Sequence, residues 1–161
     1  MSRRDYYEKR SEKTHHSPWD PLAVGGLATL LSGGMDSYQT VNQPPLSPPG
    51  WVFPVVWTVL YLLMGEASYR VLTSGKDPAQ IRKALIAYGA QLLLNFLWPL
   101  VFFGGELYLA AFVVIIALWV GIFITMRRFS QIDEKAGDFL IPYLLWVTFA
   151  AYLNLGVYLL N

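Results

Sequence analysis

Leu107 to Met126 runs for 20 residues without an Asp, Glu, Lys or Arg. At ~1.5 Å per residue, a helix of that length spans the ~30 Å hydrocarbon core of a bilayer. Ala84–Phe103 and Phe139–Leu160 are also uncharged, and Trp51–Leu72 carries only Glu66 and Arg70. Four such stretches in one short chain leave little choice but a bundle of membrane-spanning helices. The composition agrees: 55% of residues are apolar and 14% charged, against ~25% charged in ordinary soluble domains. A disordered chain, a collagen-like repeat and an ordinary soluble enzyme are excluded.

Ahead of these stretches lies a fifth apolar segment, Pro21–Met35, with Gly25, Gly26, Gly33 and Gly34. It is short for a span, and its glycines favour close helix packing over lipid exposure. The expected architecture is therefore all-α, a five-transmembrane-helix bundle with spans near 21–35, 51–72, 84–103, 107–126 and 139–160. Residues 1–18 read as a charged leader, retained and disordered, and 19–161 as the membrane domain. Between spans one and two, Asp36–Gly50 holds Pro44, Pro45, Pro48 and Pro49. Proline stiffens this loop and bars regular helix, so it reads either as a lid or as a plain chain reversal.

Every one of the 12 basic residues falls in the leader, between spans two and three (Arg70, Lys76, Arg82, Lys83), or between spans four and five (Arg127, Arg128, Lys135). Basic residues mark the cytoplasmic side. The N-terminus is expected in the cytoplasm and the C-terminus outside, in a cytoplasmic (inner) membrane. With no Cys, and with His15 and His16 confined to the leader, no metal site and no required cofactor are expected. No nucleic-acid partner is expected either.

Three spans carry a mixed stripe. In span three Gln91, Asn95, Trp98 and Phe102 follow one another at intervals of 4, 3 and 4, hence on one helical face. Span two places Pro54, Trp57, Tyr61 and Gly65 on one face, and span five Tyr143, Trp146, Ala150 and Asn154. Amides at membrane depth need hydrogen bonds, so these faces point inward. They can line a pocket for a large, flat, mostly apolar ligand, with rings on its faces and Gln91, Asn95 and Asn154 at its polar edge. Alternatively they form a packed core whose amides bond one another or the carbonyls freed by Pro54, Pro99 and Pro142. Trp51, at a span end, reads as an interface anchor.

Counted from the span ends, Trp57 lies ~9 Å from the outer side and Trp146 ~10 Å from the inner side, about 11 Å apart along the membrane normal. One ligand could still touch both. Glu66 is either half of an i,i+4 ion pair with Arg70 or part of a proton or ion relay. Small residues, Ala87 and Ala90 in span three and Ala117-x-x-x-Gly121 in span four, offer tight packing within the chain or between two copies.

The runs PPLSPPGWVFPVVWTVLYLLMG (Pro44–Gly65), QLLLNFLWPLVFFG (Gln91–Gly104) and IPYLLWVTFAAYLN (Ile141–Asn154) resemble, in that order, the translocator protein family of tryptophan-rich sensory proteins, bacterial type. The resemblance implies a five-helix bundle, usually a homodimer, that binds porphyrins such as protoporphyrin IX, with the loop after helix one covering the pocket. Bacterial members are linked to light- and oxygen-dependent breakdown of protoporphyrin. The two tryptophans of that chemistry match Trp57 and Trp146. Other ligand positions match Trp51, Asn95, Trp98 and Ala150.

The expectation is thus a membrane-embedded porphyrin-binding protein of sensory or regulatory type, with Trp57 and Trp146 as candidate catalytic residues. The candidate ligand-binding residues are these two with Trp51, Tyr61, Gln91, Asn95, Trp98, Phe102, Tyr143, Ala150 and Asn154. A transporter or channel for porphyrin or another apolar ligand is one alternative, and a non-catalytic membrane sensor or scaffold the other.

Overall fold

A computed structural model of the chain describes residues 41–161. The leader and the expected first span, Pro21–Met35, lie outside the described residues. Within them the order is α1 (Val52–Leu72), α2 (Pro78–Pro99), a π-helical turn (Leu100–Gly104), α3 (Tyr108–Ile132), the short α4 (Glu134–Asp138) and α5 (Ile141–Leu160). Four stretches are long and apolar enough to cross a membrane: Val52–Leu72, Pro78–Gly104, Tyr108–Ile132 and Glu134–Leu160. They are spans two to five; the fifth of the expected count is the segment outside the described residues.

Capping chemistry, rather than the edge of each charge-free run, sets the helix ends. The third span begins at Pro78, not Ala84, because the Asp77 side chain accepts from the Ala79 N–H (3.2 Å) and Pro78 enters the first turn. The fourth span continues past Met126, through Arg127 and Arg128, to Ile132. It stops where Asp133 turns extended and its carboxylate caps α4 at the Ala136 N–H (3.1 Å). Pro99 supplies no N–H, and directly after it the ladder widens: the Gly105 N–H reaches the Leu100 carbonyl at 3.0 Å.

The bundle reverses the soluble pattern. Leu93, Val113 and Leu145 are exposed, while Gln91, Asn95, Thr125 and Asn154 are buried. That is the arrangement hydrocarbon solvent demands, with side-chain polarity turned inward. α3 is the central helix, packed closely on α2, α5 and α4. A Cβ on Gly121 would lie 3.2 Å from the Gln91 Cβ, so this glycine lets α2 and α3 of one chain approach. Ala90 and Ala117 remain exposed. α4 is seated just as tightly, since a Cβ on Gly137 would overlap the Ser130 hydroxyl of α3.

α1 packs more lightly. Few of its backbone positions come close to α2, α3 or α5, and side chains bridge the distance. Near its C-terminus Arg70 meets Glu66 (3.9 Å) one turn back, Asp133 (3.4 Å) at the α3–α4 junction, and the Phe139 ring (6.0 Å). Glu66 thus has the ion-pair partner read from its i,i+4 spacing, and a second acid shares that cation. Partial burial acts to raise the Asp133 carboxyl, but the Ala136 N–H and the Arg70 guanidinium outweigh it and hold it below the usual value.

At the opposite end the proline loop lies along α5. The Asn161 Nδ2 donates to the Asn42 carbonyl (2.9 Å), and the Asn42 N–H to the Asn161 Oδ1 (3.2 Å). The Tyr152 hydroxyl donates to the Pro45 carbonyl (2.8 Å). Between these bonds Pro44 is buried against Gly156, where a Cβ would overlap its ring. The loop turns at Pro45–Leu46, with Leu46 in the left-handed region (φ 70°) and the Ser47 hydroxyl on the Pro44 carbonyl (2.7 Å).

Candidate functional site

The three inward stripes meet between α1, α2 and α5. Tyr61 on α1 donates its phenol proton to the Asn95 Oδ1 at 2.5 Å, and the Asn95 Nδ2 donates to the Tyr143 hydroxyl at 2.5 Å. Tyr143 in turn donates to the Gln91 Oε1 at 2.7 Å. The chain ends there: the buried Gln91 Nε2 has no hydrogen-bond partner among the described residues. Turning the Gln91 amide over would give the Tyr143 oxygen two donors and leave the phenol proton and the amide oxygen unserved. In either setting the network leaves polar valences unserved.

Aromatic rings fill the space around it. Trp57 stacks on Tyr61 (5.8 Å between centroids) and meets the Tyr143 ring edge-on (6.2 Å). One turn away Phe53 meets Trp146 edge-on (5.7 Å). Rings continue up α5 from Trp146 to Phe149 (5.7 Å) and Tyr152 (6.2 Å), whose hydroxyl holds the proline loop. The Trp146 Nε1 is buried and, like the Gln91 Nε2, has no partner among the described residues. Two donors without acceptors therefore occur in one bundle interior, where each costs roughly 1–3 kcal/mol.

A second group lies toward the π turn. Trp98 stacks on Phe102 (5.0 Å), which packs against Phe103 (4.8 Å) and Tyr108 (5.1 Å). The Trp98 Nε1 donates to the Asn154 Oδ1 (2.9 Å), and the Asn154 Nδ2 to the Tyr108 carbonyl (2.8 Å). Ala150 is buried, one helical turn from Asn154.

The amides of Asn95 and Asn154 are thus engaged by phenols, an indole and the Tyr108 carbonyl, not by the carbonyls that Pro54, Pro99 and Pro142 free. Of the predicted residues, Trp57, Tyr61, Gln91, Asn95 and Tyr143 are linked to one another. Trp98, Phe102 and Asn154 form the second group. Trp51 stands apart: it precedes α1 and is 69% exposed. Phe53 and Phe149 were missing from the predicted site, although they lie four residues before Trp57 and three after Trp146. The i,i+3/i+4 rule alone would have added them.

The ~11 Å separation of Trp57 and Trp146 along the membrane normal is overturned. Since α1 and α5 run antiparallel with Trp57 beside Tyr143 and Phe53 beside Trp146, the two tryptophans differ by about one helical turn, roughly 5 Å. The earlier value assumed that both helices fill the same slab. In fact α5 overhangs the start of α1, and the proline loop covers the overhang.

Few α1 and α5 backbone positions approach closely, so rings, not main chain, occupy the space between them. The seam thus pairs flat aromatic surfaces with two buried donors that have no partner among the described residues, a chemistry suited to a flat ligand whose edge carries acceptors.

The profile of the TspO/MBR family matches residues 20–159 of the chain. The chain is 40% identical over 142 residues to the tryptophan-rich protein TspO of Chlorobaculum tepidum, covering 87% of this chain and 90% of that protein. It is 42% identical over 127 residues to the tryptophan-rich sensory protein of Cereibacter sphaeroides, 77% and 76% of the two chains. With the translocator protein of Ovis aries it shares 33% identity over 149 residues, 85% and 88% of the two chains.

Proposed function

The chain belongs to the TspO/MBR family, and from that premise we propose that it binds a porphyrin such as protoporphyrin IX within the membrane, in the aromatic seam between α1, α2 and α5. The observation that carries this reading is the pair of buried donors without acceptors, the Gln91 Nε2 and the Trp146 Nε1. Porphyrin carboxylates only accept at neutral pH, so the chemistry of the two atoms fits the ligand. Trp57, Tyr61, Phe53 and Tyr143 supply aromatic faces for the macrocycle.

Light- and oxygen-dependent breakdown of the bound porphyrin is the activity we assign to Trp57 and Trp146. Their indoles are oxidisable groups within the seam, and no acid–base pair is required. The setting we propose is a homodimer in the cell membrane, with the basic end toward the cytoplasm as Lys and Arg placement favours.

Adding protoporphyrin IX to purified protein should quench its tryptophan fluorescence saturably, and Trp57→Phe with Trp146→Phe should still bind saturably, more weakly for want of the Trp146 donor, but lose light-driven bleaching at saturating porphyrin. Absence of saturable quenching overturns the binding proposal. Bleaching that persists in the double variant overturns the role of the tryptophans.

A further inference from the structure

We propose that a groove at the basic end of the bundle, between the start of α2 and the end of α3, binds the phosphate headgroup of an anionic phospholipid. The groove has a volume of about 370 Å³ and is lined by Asp77, Ala79, Gln80, Lys83, Arg128 and Gln131. That size falls in the ~300–1,000 Å³ range of small-ligand sites. Its walls are held together just inside by the Tyr88 and Phe129 rings (5.7 Å).

Two cations face this groove with no acid assigned to them. Among the described residues the ion pairs are those of Arg70 with Glu66 and Asp133; neither Lys83 nor Arg128 is in one. The only acid in the lining, Asp77, already caps α2 at the Ala79 N–H. Gln80 and Gln131 add amide donors. A guanidinium, an ammonium and two amides converging on one concavity form a receptor for phosphate oxygens.

Placement separates a lipid phosphate from a soluble one. The α2 span with its π turn, Pro78–Gly104, has 27 residues, and α3 has 25. These lengths correspond to about 40 and 37 Å, more than the ~30 Å hydrocarbon core. The end turns bearing Lys83 and Arg128 therefore stand at headgroup level. From the groove toward the membrane centre, α2 exposes Ile86 and Leu93 and α3 exposes Ile124 and Val120. These follow Lys83 and Arg128 at helical spacings, so an apolar strip on each helix continues the groove where acyl chains would lie. Basic pockets between spanning helices are a recurrent form of lipid recognition.

The test counts lipids retained by full-length protein, using native mass spectrometry after exchange into equal mixtures of phosphatidylglycerol and phosphatidylcholine. Wild type should keep about one phosphatidylglycerol per chain. Lys83→Gln with Arg128→Gln should lower that retention roughly tenfold, while Lys83→Arg with Arg128→Lys should keep it. Arg82→Gln with Lys135→Gln removes the same charge at the same end but outside the groove lining, and should leave retention unchanged. Equal loss in both charge-removing pairs would mean diffuse attraction and overturn the site. So would equal retention in wild type and the Lys83/Arg128 pair, with circular dichroism confirming that each variant is folded. Glycerol phosphate that displaces the lipid at equal concentration would assign the groove to a soluble phosphate and overturn the lipid.

Discussion

The Tyr143 phenol donates to the Gln91 Oε1 at 2.7 Å, and the Gln91 Nε2 beside that oxygen finds no acceptor among the described residues. This pair ends the side-chain chain that joins α1, α2 and α5, so its members are energetically unequal. Tyr143→Phe leaves the Asn95 Nδ2 and the Gln91 Oε1 without partners at once. Gln91→Leu strands the Tyr143 phenol proton but also removes the donor that was already unpaired. Tyr143→Phe should cost the more of the two, by about 1 kcal/mol, and the double variant less than the sum. Unfolding of the four proteins in detergent measures the cycle; additive costs would show that the bond carries no coupling.

Trp98 and Trp146 provide a comparison at constant change in ring size. The Trp98 indole is bonded to Asn154, whereas that of Trp146 has no partner. Trp98→Phe should therefore destabilise by about 1 kcal/mol more than Trp146→Phe. Thermal unfolding checks this in the absence of ligand. With protoporphyrin IX added, the order should change for affinity, Trp146→Phe losing more than Trp98→Phe.

Gly156 is the notch in which Pro44 rests. Alanine at this position favours the α5 helix by about 1 kcal/mol, yet its Cβ occupies the place of the proline ring. Gly156→Ala should leave helix content intact and speed amide exchange at Asn42, Gln43 and Ser47 roughly tenfold or more. Mass-detected exchange reads both; unaltered exchange in the loop would show that the notch does not hold it.

At the other end, Gly137→Ala drives a methyl into Ser130 and should cost about 1–3 kcal/mol by overpacking. Ser130→Ala should restore only part of this. It removes the hydroxyl, but the residue's Cβ (2.9 Å) and the Met126 carbonyl (3.1 Å) still crowd the new methyl. Thermal unfolding of single and double variants separates the two contributions.

Asp133 gives the fold an acid-sensitive contact. Its carboxyl is held below the ordinary range by the Ala136 N–H and Arg70. A lowered folded value means that the stabilisation is complete above the unfolded value, near ~3.9, and is lost as pH falls through the folded one. Asp133→Asn keeps a side chain that caps helices well. Wild type should melt above Asp133→Asn at pH 6, and the difference should shrink as pH falls below about 3.9. A difference that does not shrink on acidification would mean that charge is not the cause.

Much of this was legible in residue order. Charge-free runs located the four described spans, because hydrocarbon excludes charge whatever the tertiary arrangement. The i,i+3/i+4 spacing of Gln91, Asn95, Trp98 and Phe102 identified the inward face of α2. Helix ends were less visible: Ala84 and Met126 mark where charge begins, while the Asp77 cap and the extended Asp133 backbone mark where the helix does.

Residue order alone dictated which segments enter the membrane and which faces carry rings and amides, since both follow from local hydropathy and a 3.6-residue period. How those faces meet did not follow from it. That Asn95 lies between Tyr61 and Tyr143, that Trp146 sits level with Phe53, and that Pro44 lodges against Gly156 all depend on the axial offset of α1 against α5. No local rule sets that offset. It results from the simultaneous fit of rings, amides and notches contributed by helices far apart in the chain, and it decides that a bonded network runs through the seam with two donors left over.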